Sequence, residues 1–498
     1  MNHSGVPKAI VVGAGIGGLA TAIRLRVKGY EVEVIEANSH HGGKLAEIDL
    51  EGYRFDAGPS LFTLPLEVDA LFEAANKNPR DYFDYEKLDI ITHYFYEDGT
   101  NILAYADLDS FAREVEDKTG ESARKVKKLL KKSEGLYDLT SHVFLENSLH
   151  KLDTYLRMDT IKSILQLYKL DALRSMDKAN QSFFDDPRVV QLFNRYATYN
   201  GSDPYQAPAT LNIIPHLEFN MGAYFPKGGI YQIADAVYRL GLDLGIKYRF
   251  DTPVEQILTE ESQVKGVKLA EETIPAQVVV SNADIVPTYR KLLKHLPAPE
   301  KTLEQPRSSS ALIFYWGIEK EFANLGVHNI FFSEDYKAEF EHIWQKKSVY
   351  HDPTVYIHIS SKLNPSDAPQ GGENWFTMIN VPHDAGQDWD QIIKESREHI
   401  LDKVSRILKV NVREYLRCEQ ILEPRTIQSR TSSYLGALYG NSSNNTFAAF
   451  LRHPNFSTQI KGLYFCGGSV HPGGGIPLSV LSGRIVGDLV DDVREVVG

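Results

Sequence analysis

The stretch from Lys8 to Glu36 constrains the fold more than any other. KAIVV at 8–12 is a short apolar, β-branched run that predicts a strand buried on both faces. GAGIGG follows, then LATAIRLRVKG with Leu19, Ile23 and Leu25 at helical spacing, then YEVEVIEA, a second strand ending at Glu36. Strand, glycine turn, helix and strand make one unit of a parallel α/β sheet. Gly13 suits the tight turn, Gly15 lets a pyrophosphate approach the backbone, and Gly18 lets helix and strand pack closely, with Ile16 and Gly17 completing the loop. The helix start favours phosphate. Glu36 stands 18 residues beyond Gly18, close to the spacing of an acid that bonds ribose hydroxyls. A GxGxxG spacing alone is weak. With strand, helix and acid in place, it predicts a dinucleotide site rather than a glycine turn without a ligand.

A second glycine-rich segment, YFCGGSVHPGGGIPLSVLSGR at 464–484, lies almost at the other end of the 498 residues. It lacks the GxGxxG spacing. An apolar run enters a wide loop, and Pro477 stands where a helix begins, a position at which its missing N–H costs nothing. That helix start again carries partial positive charge. Two such loops so far apart predict one discontinuous cofactor domain, the first loop holding a pyrophosphate and the last holding the far end of a long cofactor. The length suits two domains, one interrupting the other. The balance of 54 Lys+Arg against 66 Asp+Glu, −12 overall, argues against a general nucleic-acid binder. Two cysteines, Cys418 and Cys466, are too few for a disulfide scaffold. No signal peptide and no run of 18 apolar residues is expected, and the sixteen histidines show no ligand spacing, so no metal is expected.

Between the two loops, YFPKGGIYQIADAVYRLGLDLGIKYRF (224–250) reads as turn, helix and strand, and TPVEQILTE, QVKGVKLA and IPAQVVVSNAD as short strands. Residues 108–200 read as mainly helical. Val126, Leu129 and Leu130 sit among lysines, and Leu156, Ile161, Ile164, Leu165, Leu167, Leu170 and Leu173 recur at helical spacing. These are either core helices with solvated lysines or an interfacial helix resting on an anionic membrane. Residues 290–420 mix strands such as ALIFYWGI and TVYIHISS with helices such as QIIKESREHILDKVSRIL.

Glu36, the pair Gly42–Gly43, and the turn Asp56-x-Gly58-Pro59-Ser60 occur in an order that resembles FAD-containing oxidoreductases of the amine oxidase and carotenoid desaturase superfamily. In many of those the glycine pair is followed by Arg; here it is Lys44, a point charge without the bidentate fork. GLYFCGGSVHPGGGIPLSVLSGR resembles the C-terminal signature of bacterial-type phytoene desaturases and their relatives. SSYLGALYGNSSNNTFAAFLRHPN (432–455) resembles the flavin-side segment before it, and AYFPKGGIYQIADAVYRL a third segment of that family. Both late segments are most similar to the hydroxycarotenoid 3,4-desaturase branch.

The resemblance implies an α/β fold: a Rossmann-like FAD-binding domain in three parts (1–80, 224–288, 425–498) with an inserted α+β substrate domain (81–223, carrying a helical lid, and 289–424). It implies FAD held by Gly13, Gly15, Ile16, Gly17, Gly18, Glu36, Gly42, Gly43, Lys44, Gly58, Pro59, Ser60, Val254, Asn282, Gly436, Gly468, Ser469, Gly474, Gly475, Ile476 and Pro477. Val254 resembles the valine whose backbone meets adenine, with core packing the alternative. Ser469 stands where amine oxidases usually carry an acid. The implied reaction removes two hydrogens beside a polyene, with hydride passing to flavin N5, most simply at the 3,4 bond of a 1-hydroxycarotenoid. Phytoene desaturation and carotenoid isomerisation are the alternatives, and a non-enzymatic prenyl-lipid carrier is disfavoured by the intact glycine set. His471, Tyr434 and Tyr439 are the candidate catalytic residues, each with a packing role as the alternative. The implied partners are a lipophilic polyene and a membrane surface, contacted peripherally from the cytoplasmic side, with residues 120–180 the first candidates for that contact.

Overall fold

The structure is a computed structural model that describes residues 6–144, 170–445 and 452–493. KAIVV forms β1 (Lys8–Val12), helix α1 spans Ile16–Val27, and β2 spans Glu31–Ile35. They belong to a five-stranded parallel sheet in the order 463–465, 278–281, β1, β2, 247–249. In chain order this is 3-2-1-4-5, the doubly wound arrangement of a Rossmann-like sheet. The chain therefore returns to its first strand at its end: Leu463–Phe465 pairs with Val278–Ser281, which pairs with β1. Helix Ile476–Leu489 then lies across α1. Small residues permit the close crossing. A methyl at Gly483 would stand 3.0 Å from the Thr21 backbone nitrogen, and one at Gly487 would stand 2.9 Å from Arg24 Cβ. One face of the sheet packs on α1 and helix Tyr231–Asp243. The other is covered by the antiparallel meander Gln256–Glu260, Gln263–Lys268 and Thr273–Pro275.

A second, seven-stranded sheet has the order 416–422, 310–318, 373–381, 355–359, 328–331, 90–95, 101–105. All its pairs are antiparallel except His328–Phe331 beside Ile90–Phe95. Its central strand, SALIFYWGI, is buried throughout and splits its side chains by parity, as strand geometry requires. Leu312, Phe314 and Trp316 pack under helix Trp389–Leu408. Ala311, Ile313 and Tyr315 face the opposite way, toward Tyr53 and Phe55.

Helices Leu108–Thr119, Ala123–Phe144 and Pro187–Asn194 build a third core. Val126, Leu129 and Leu130 are fully buried in it, while Lys132 pairs with Asp171 and Lys125 with Asp185. The first part of the basic helix is thus a packed core helix, and its apolar stripe does not face outward. The helical pattern carried by Leu156, Ile161, Ile164, Leu165 and Leu167 lies outside the described residues. No described helix is long and apolar enough to cross a membrane.

Candidate active site

All five strands of the parallel sheet run the same way, so the loops after them gather at one edge, the usual ligand edge of such a sheet. There they line a cavity of about 1190 Å³ that continues under the second sheet and into the helical core. This exceeds the roughly 300–1,000 Å³ of an ordinary small-molecule pocket and is room for a cofactor and a second ligand.

The loop Gly13–Gly18 is held from below by Asn282. A methyl at Gly15 would stand 2.8 Å from Asn282 Nδ2, and one at Gly17 would stand 2.9 Å from Asn282 Oδ1 and 3.0 Å from Gly467. Gly13, with φ +101°, occupies the left-handed region that the turn demands. Gly18 does not line the cavity; a methyl there would overlap the Gly13 carbonyl oxygen, so it serves the turn's packing. Glu36 lies in the cavity wall beside Pro253 and Val254. Its Oε2 accepts from the Ala14 N–H (2.7 Å), and its Oε1 accepts from the N–H and Nδ2 of Asn38 (both 2.8 Å). A carboxylate has about four acceptor sites, which leaves one for a ribose hydroxyl. Val254 lines the cavity and also packs against the core, so both expected roles coexist.

Gly42 bridges to Gly15, and its N–H donates to the Ala14 carbonyl (2.8 Å), so the glycine pair is built onto the first loop. Lys44 follows, facing the cavity with Nζ donating to the Leu438 carbonyl (2.7 Å). Desolvation pulls its pKa down to about 8, against the opposing pull of Asp284. Gly58, Pro59 and Ser60 line the cavity. Asp56 does not: its two carboxylate oxygens accept the N–H groups of Ile230 (2.9 Å) and Tyr231 (3.0 Å), at the start of helix Tyr231–Asp243.

From the C-terminal segment, Gly468, Ser469, His471, Gly474, Gly475, Ile476 and Pro477 all line the cavity. Pro477 is the second helical residue, one later than the sequence suggests, and the reason it is tolerated is unchanged. Ser469 Oγ accepts from the Ile285 N–H (2.9 Å), which ties the loop to the strand end at 281. His471 is buried, with its carbonyl accepting from Asn455 Nδ2 (2.7 Å). Tyr439 lines the cavity, and burial pushes its phenol up to about 12, so it is neutral near neutral pH.

Two expectations are corrected by position. Tyr434 is 38% exposed, lies outside the cavity wall, and carries the Arg307 guanidinium 5.1 Å over its ring. Gly436 is buried away from the wall, where its carbonyl accepts from Ser310 Oγ (2.6 Å) and a methyl would meet the backbone of Pro424.

Several wall residues escaped the sequence reading. Arg452 is a buried cation whose guanidinium donates to the Tyr439 carbonyl (3.2 Å) and which burial holds down at about 10. Arg195 pairs with buried Glu218 (3.1 Å) and donates to Tyr94 Oη. Tyr356 and His328 come from adjacent parts of the second sheet. A signal for Tyr356 existed: in VYIHI it and His358 share one strand parity, while Val355, Ile357 and Ile359 take the other.

The fit to FAD rests on these features together. One end of the cavity is a glycine-lined backbone cradle, in which a Cβ at Gly17 would press on the Gly467 backbone and one at Gly15 on the Asn282 side chain, with a ribose acceptor beside it. Lys44, Arg452 and a helix start follow along the wall, and the remainder is largely apolar. The wall beyond the glycine loops includes Ile313, Phe376, Met378, Ile330, Ile214 and Leu170.

Comparison with known proteins agrees with this architecture. The family model for flavin containing amine oxidoreductase matches residues 16–490. The chain is 50% identical over 487 residues to the 1-hydroxycarotenoid 3,4-desaturase of Flavobacterium sp. (strain P99-3), covering 98% of this chain and 99% of that protein. It is 33% identical to the 4,4'-diapolycopene oxygenase of Methylomonas sp., covering 98% of this chain and 99% of that one. Among solved structures, cyclohexylamine oxidase from Brevibacterium oxydans IH-35A has a similar fold, with a TM-score of 0.62 at 14% identity, covering 99% of this chain and 100% of that one.

Proposed function

The chain belongs to the flavin containing amine oxidoreductase family, and on that premise we propose that it is an FAD-dependent carotenoid desaturase that introduces the 3,4 double bond into a 1-hydroxycarotenoid. The observation that carries the reading is the single cavity: a dinucleotide cradle at one end opens without a break into an apolar chamber, so a long polyene can reach the cofactor. The half-identical relative with a 3,4-desaturase name supports the choice of substrate. FAD, when bound, would supply the two-electron oxidant for the hydride lost from the carbon beside the polyene.

The chain's own residues do the rest. Gly13, Gly15 and Gly17 admit the pyrophosphate to the backbone, Glu36 accepts a ribose hydroxyl, and Lys44 adds positive charge. The loop Gly467–Gly475 and the start of helix Ile476–Leu489 place partial positive charge against the other end of the cofactor. Gly58, Pro59 and Ser60 line the cofactor's part of the cavity, and Tyr439 and His471, which line the same cavity, are the residues assigned to the reacting bond. The substrate cation left by hydride loss is a strong carbon acid, so a weak base or water suffices to take the second hydrogen as a proton. Segments 1–80, 224–288 and 425–498 form the cofactor domain, and 81–223 with 289–424 the substrate domain.

Membrane contact is part of the same proposal. Taking a carotenoid of roughly 40 carbons out of water at ~0.8 kcal/mol per CH₂ is worth about 30 kcal/mol, beyond the practical affinity limit of about 18–21 kcal/mol. Water is therefore the wrong starting phase, and the substrate passes from lipid to the apolar chamber at a peripheral contact on the cytoplasmic side. Leu170 and Ala172 line the cavity and the neighbouring Leu173 is 97% exposed, which supports an entry there.

Purified, FAD-loaded protein given phytoene, lycopene and 1-hydroxylated carotenoids in liposomes tests the reading. A product two hydrogens lighter from the hydroxylated substrates is expected. Conversion of phytoene to lycopene with hydroxylated substrates untouched overturns the substrate, and cis–trans products of unchanged mass overturn the desaturation.

A further inference from the structure

The cavity wall beyond the glycine loops carries a hydrogen-bonded chain of polar side chains. Ser60 Oγ, at the end of the turn Gly58–Ser60, is 2.7 Å from Tyr356 Oη, and Tyr356 Oη is 2.7 Å from His328 Nδ1. All three residues line the cavity. The other ring nitrogen, His328 Nε2, has no hydrogen-bond partner among the described residues, although His328 is only 2% exposed. The imidazole is held rigidly. It sits on strand His328–Phe331 directly opposite His358, on whose ring it stacks at 5.0 Å. Tyr356 is anchored on the adjoining strand. A buried, oriented and unsatisfied nitrogen on a wall that also carries Ile330, Phe376 and Met378 is costly unless a ligand completes it.

We propose that His328, held by Tyr356 and Ser60, is the specificity-determining residue that binds the terminal hydroxyl of the substrate; this rests on the desaturase reading above. The chemistry selects a neutral hydroxyl. Burial, His358 and Arg195 all disfavour the imidazolium, so the ring is neutral, with one donor and one acceptor. When Tyr356 donates to Nδ1, Nε2–H donates to the ligand oxygen; when Nδ1–H donates to Tyr356, Nε2 accepts the ligand's O–H. A hydroxyl satisfies either tautomer. A carboxylate or ammonium would enter without a counter-charge, since Arg195 is already engaged by Glu218 and Tyr94. Position matters as well. The hydrogen-bonded chain ends at Ser60, in the turn Gly58–Ser60 assigned to the cofactor, and in a 1-hydroxycarotenoid C3 is two bonds from the hydroxyl-bearing carbon. A hydroxyl fixed here sets which bond meets the oxidant, whereas a hydrocarbon end can slide by an isoprene unit with little change in contact.

The test is a competition assay. A 1-hydroxycarotenoid and the same carotenoid with hydrogen in place of the hydroxyl are mixed in liposomes, and the ratio of kcat/KM is read for wild type, His328→Leu and His328→Gln, with bound FAD measured for each. Wild type prefers the hydroxylated substrate. His328→Leu lowers the ratio about 10–100-fold, through slower turnover of the hydroxylated substrate alone, and His328→Gln, which keeps a polar group near Nε2, restores part of it. An unchanged ratio in FAD-loaded His328→Leu overturns the proposal, as does an equal loss on both substrates or a wild type without preference. Should His328→Leu not accumulate folded, Tyr356→Phe decides: a ratio lowered fivefold or more supports the anchor, and an unchanged one overturns it. Wild type that desaturates neither substrate refutes the desaturase reading instead.

Discussion

Replacing Gly15 by valine separates cofactor binding from folding. Gly15 has φ −69° and ψ 165°, an ordinary extended conformation, so a side chain is not excluded by the backbone. The obstacle within the protein is one flexible group, Asn282 Nδ2, 2.8 Å from where Cβ would stand. Nδ2 makes only a long 3.5 Å contact to the Gly13 carbonyl, and Oδ1 accepts only a weak 3.5 Å bond from Cys466 Sγ, so Asn282 can turn aside at a cost of about 1 kcal/mol, the off-rotamer scale. The cofactor has no such escape. A valine side chain occupies the space where the pyrophosphate must reach the backbone N–H groups, and a loss of at least 100-fold in affinity is expected, about 2.8 kcal/mol at 1.4 kcal/mol per tenfold. Thermal unfolding with and without added FAD reads both terms, because a ligand stabilises by RT ln(1 + [L]/Kd). Gly15→Val without FAD should melt close to wild-type apoprotein and gain little on titration. The control is Gly18→Ala, whose methyl overlaps the Gly13 carbonyl and should destabilise apoprotein and FAD-treated protein alike. Stoichiometric FAD in purified Gly15→Val refutes the assignment of this loop to the pyrophosphate.

Three other perturbations follow from buried charges. Lys44 titrates near 8 in the folded apoprotein instead of its usual 10.5. The unfolded chain therefore binds more protons between these values, and apoprotein stability rises with pH across that window. Phosphate beside Lys44 favours the ammonium, so FAD affinity should fall as pH rises above about 8, and Lys44→Met should flatten the dependence; an identical slope in the variant rejects the contact. Glu339 is buried, with Oε1 unpartnered among the described residues, and desolvation raises its carboxyl to about 7 from 4.5. Here the folded state binds the extra proton, so its stability contribution is present below about pH 4.5 and is lost as pH rises through 7, about 3 kcal/mol in all. Glu339→Gln should stabilise the protein at pH 8 and leave it nearly unchanged at pH 4.5, as denaturant midpoints at the two values would record; equal shifts at both refute it. Glu218→Leu leaves the Arg195 charge buried without its carboxylate and should cost about 3–5 kcal/mol in urea unfolding, toward the lower figure because Tyr94 Oη still accepts from Arg195. A loss under 1 kcal/mol shows that the pair carries no structural burden.

Local spacing carries what local geometry decides, and so the first nucleotide loop was legible in the sequence. Strand, turn and helix are neighbours along the chain, and Gly13, Gly15, Gly18 and Glu36 can be placed from residue types and intervals. The second loop was legible for the same reason, as were the strands 256–260, 263–268 and 278–281 and helix Tyr231–Asp243. Resemblance to a family joins these pieces into one fold. Tertiary structure decided what depends on register between distant segments. Only the sheet order places Leu463–Phe465 next to Val278–Ser281 and so brings the last loop beside the first. Asp56 sits in a turn that reads as cofactor-binding, yet the approach of helix Tyr231–Asp243 engages its carboxylate as a helix cap. Tyr434 and Gly436 lie in the same quoted segment as Tyr439. A bend at Leu435, with φ +56°, leaves Tyr434 partly exposed and Gly436 buried off the cavity, whereas Tyr439 lines it. Ser60 lies more than 250 residues from His328 and Tyr356 along the chain. Their hydrogen bonds exist because strand pairing sets His328 against His358 and parity turns Tyr356 to the cavity, while a one-residue slip in either strand would send each side chain to the opposite face.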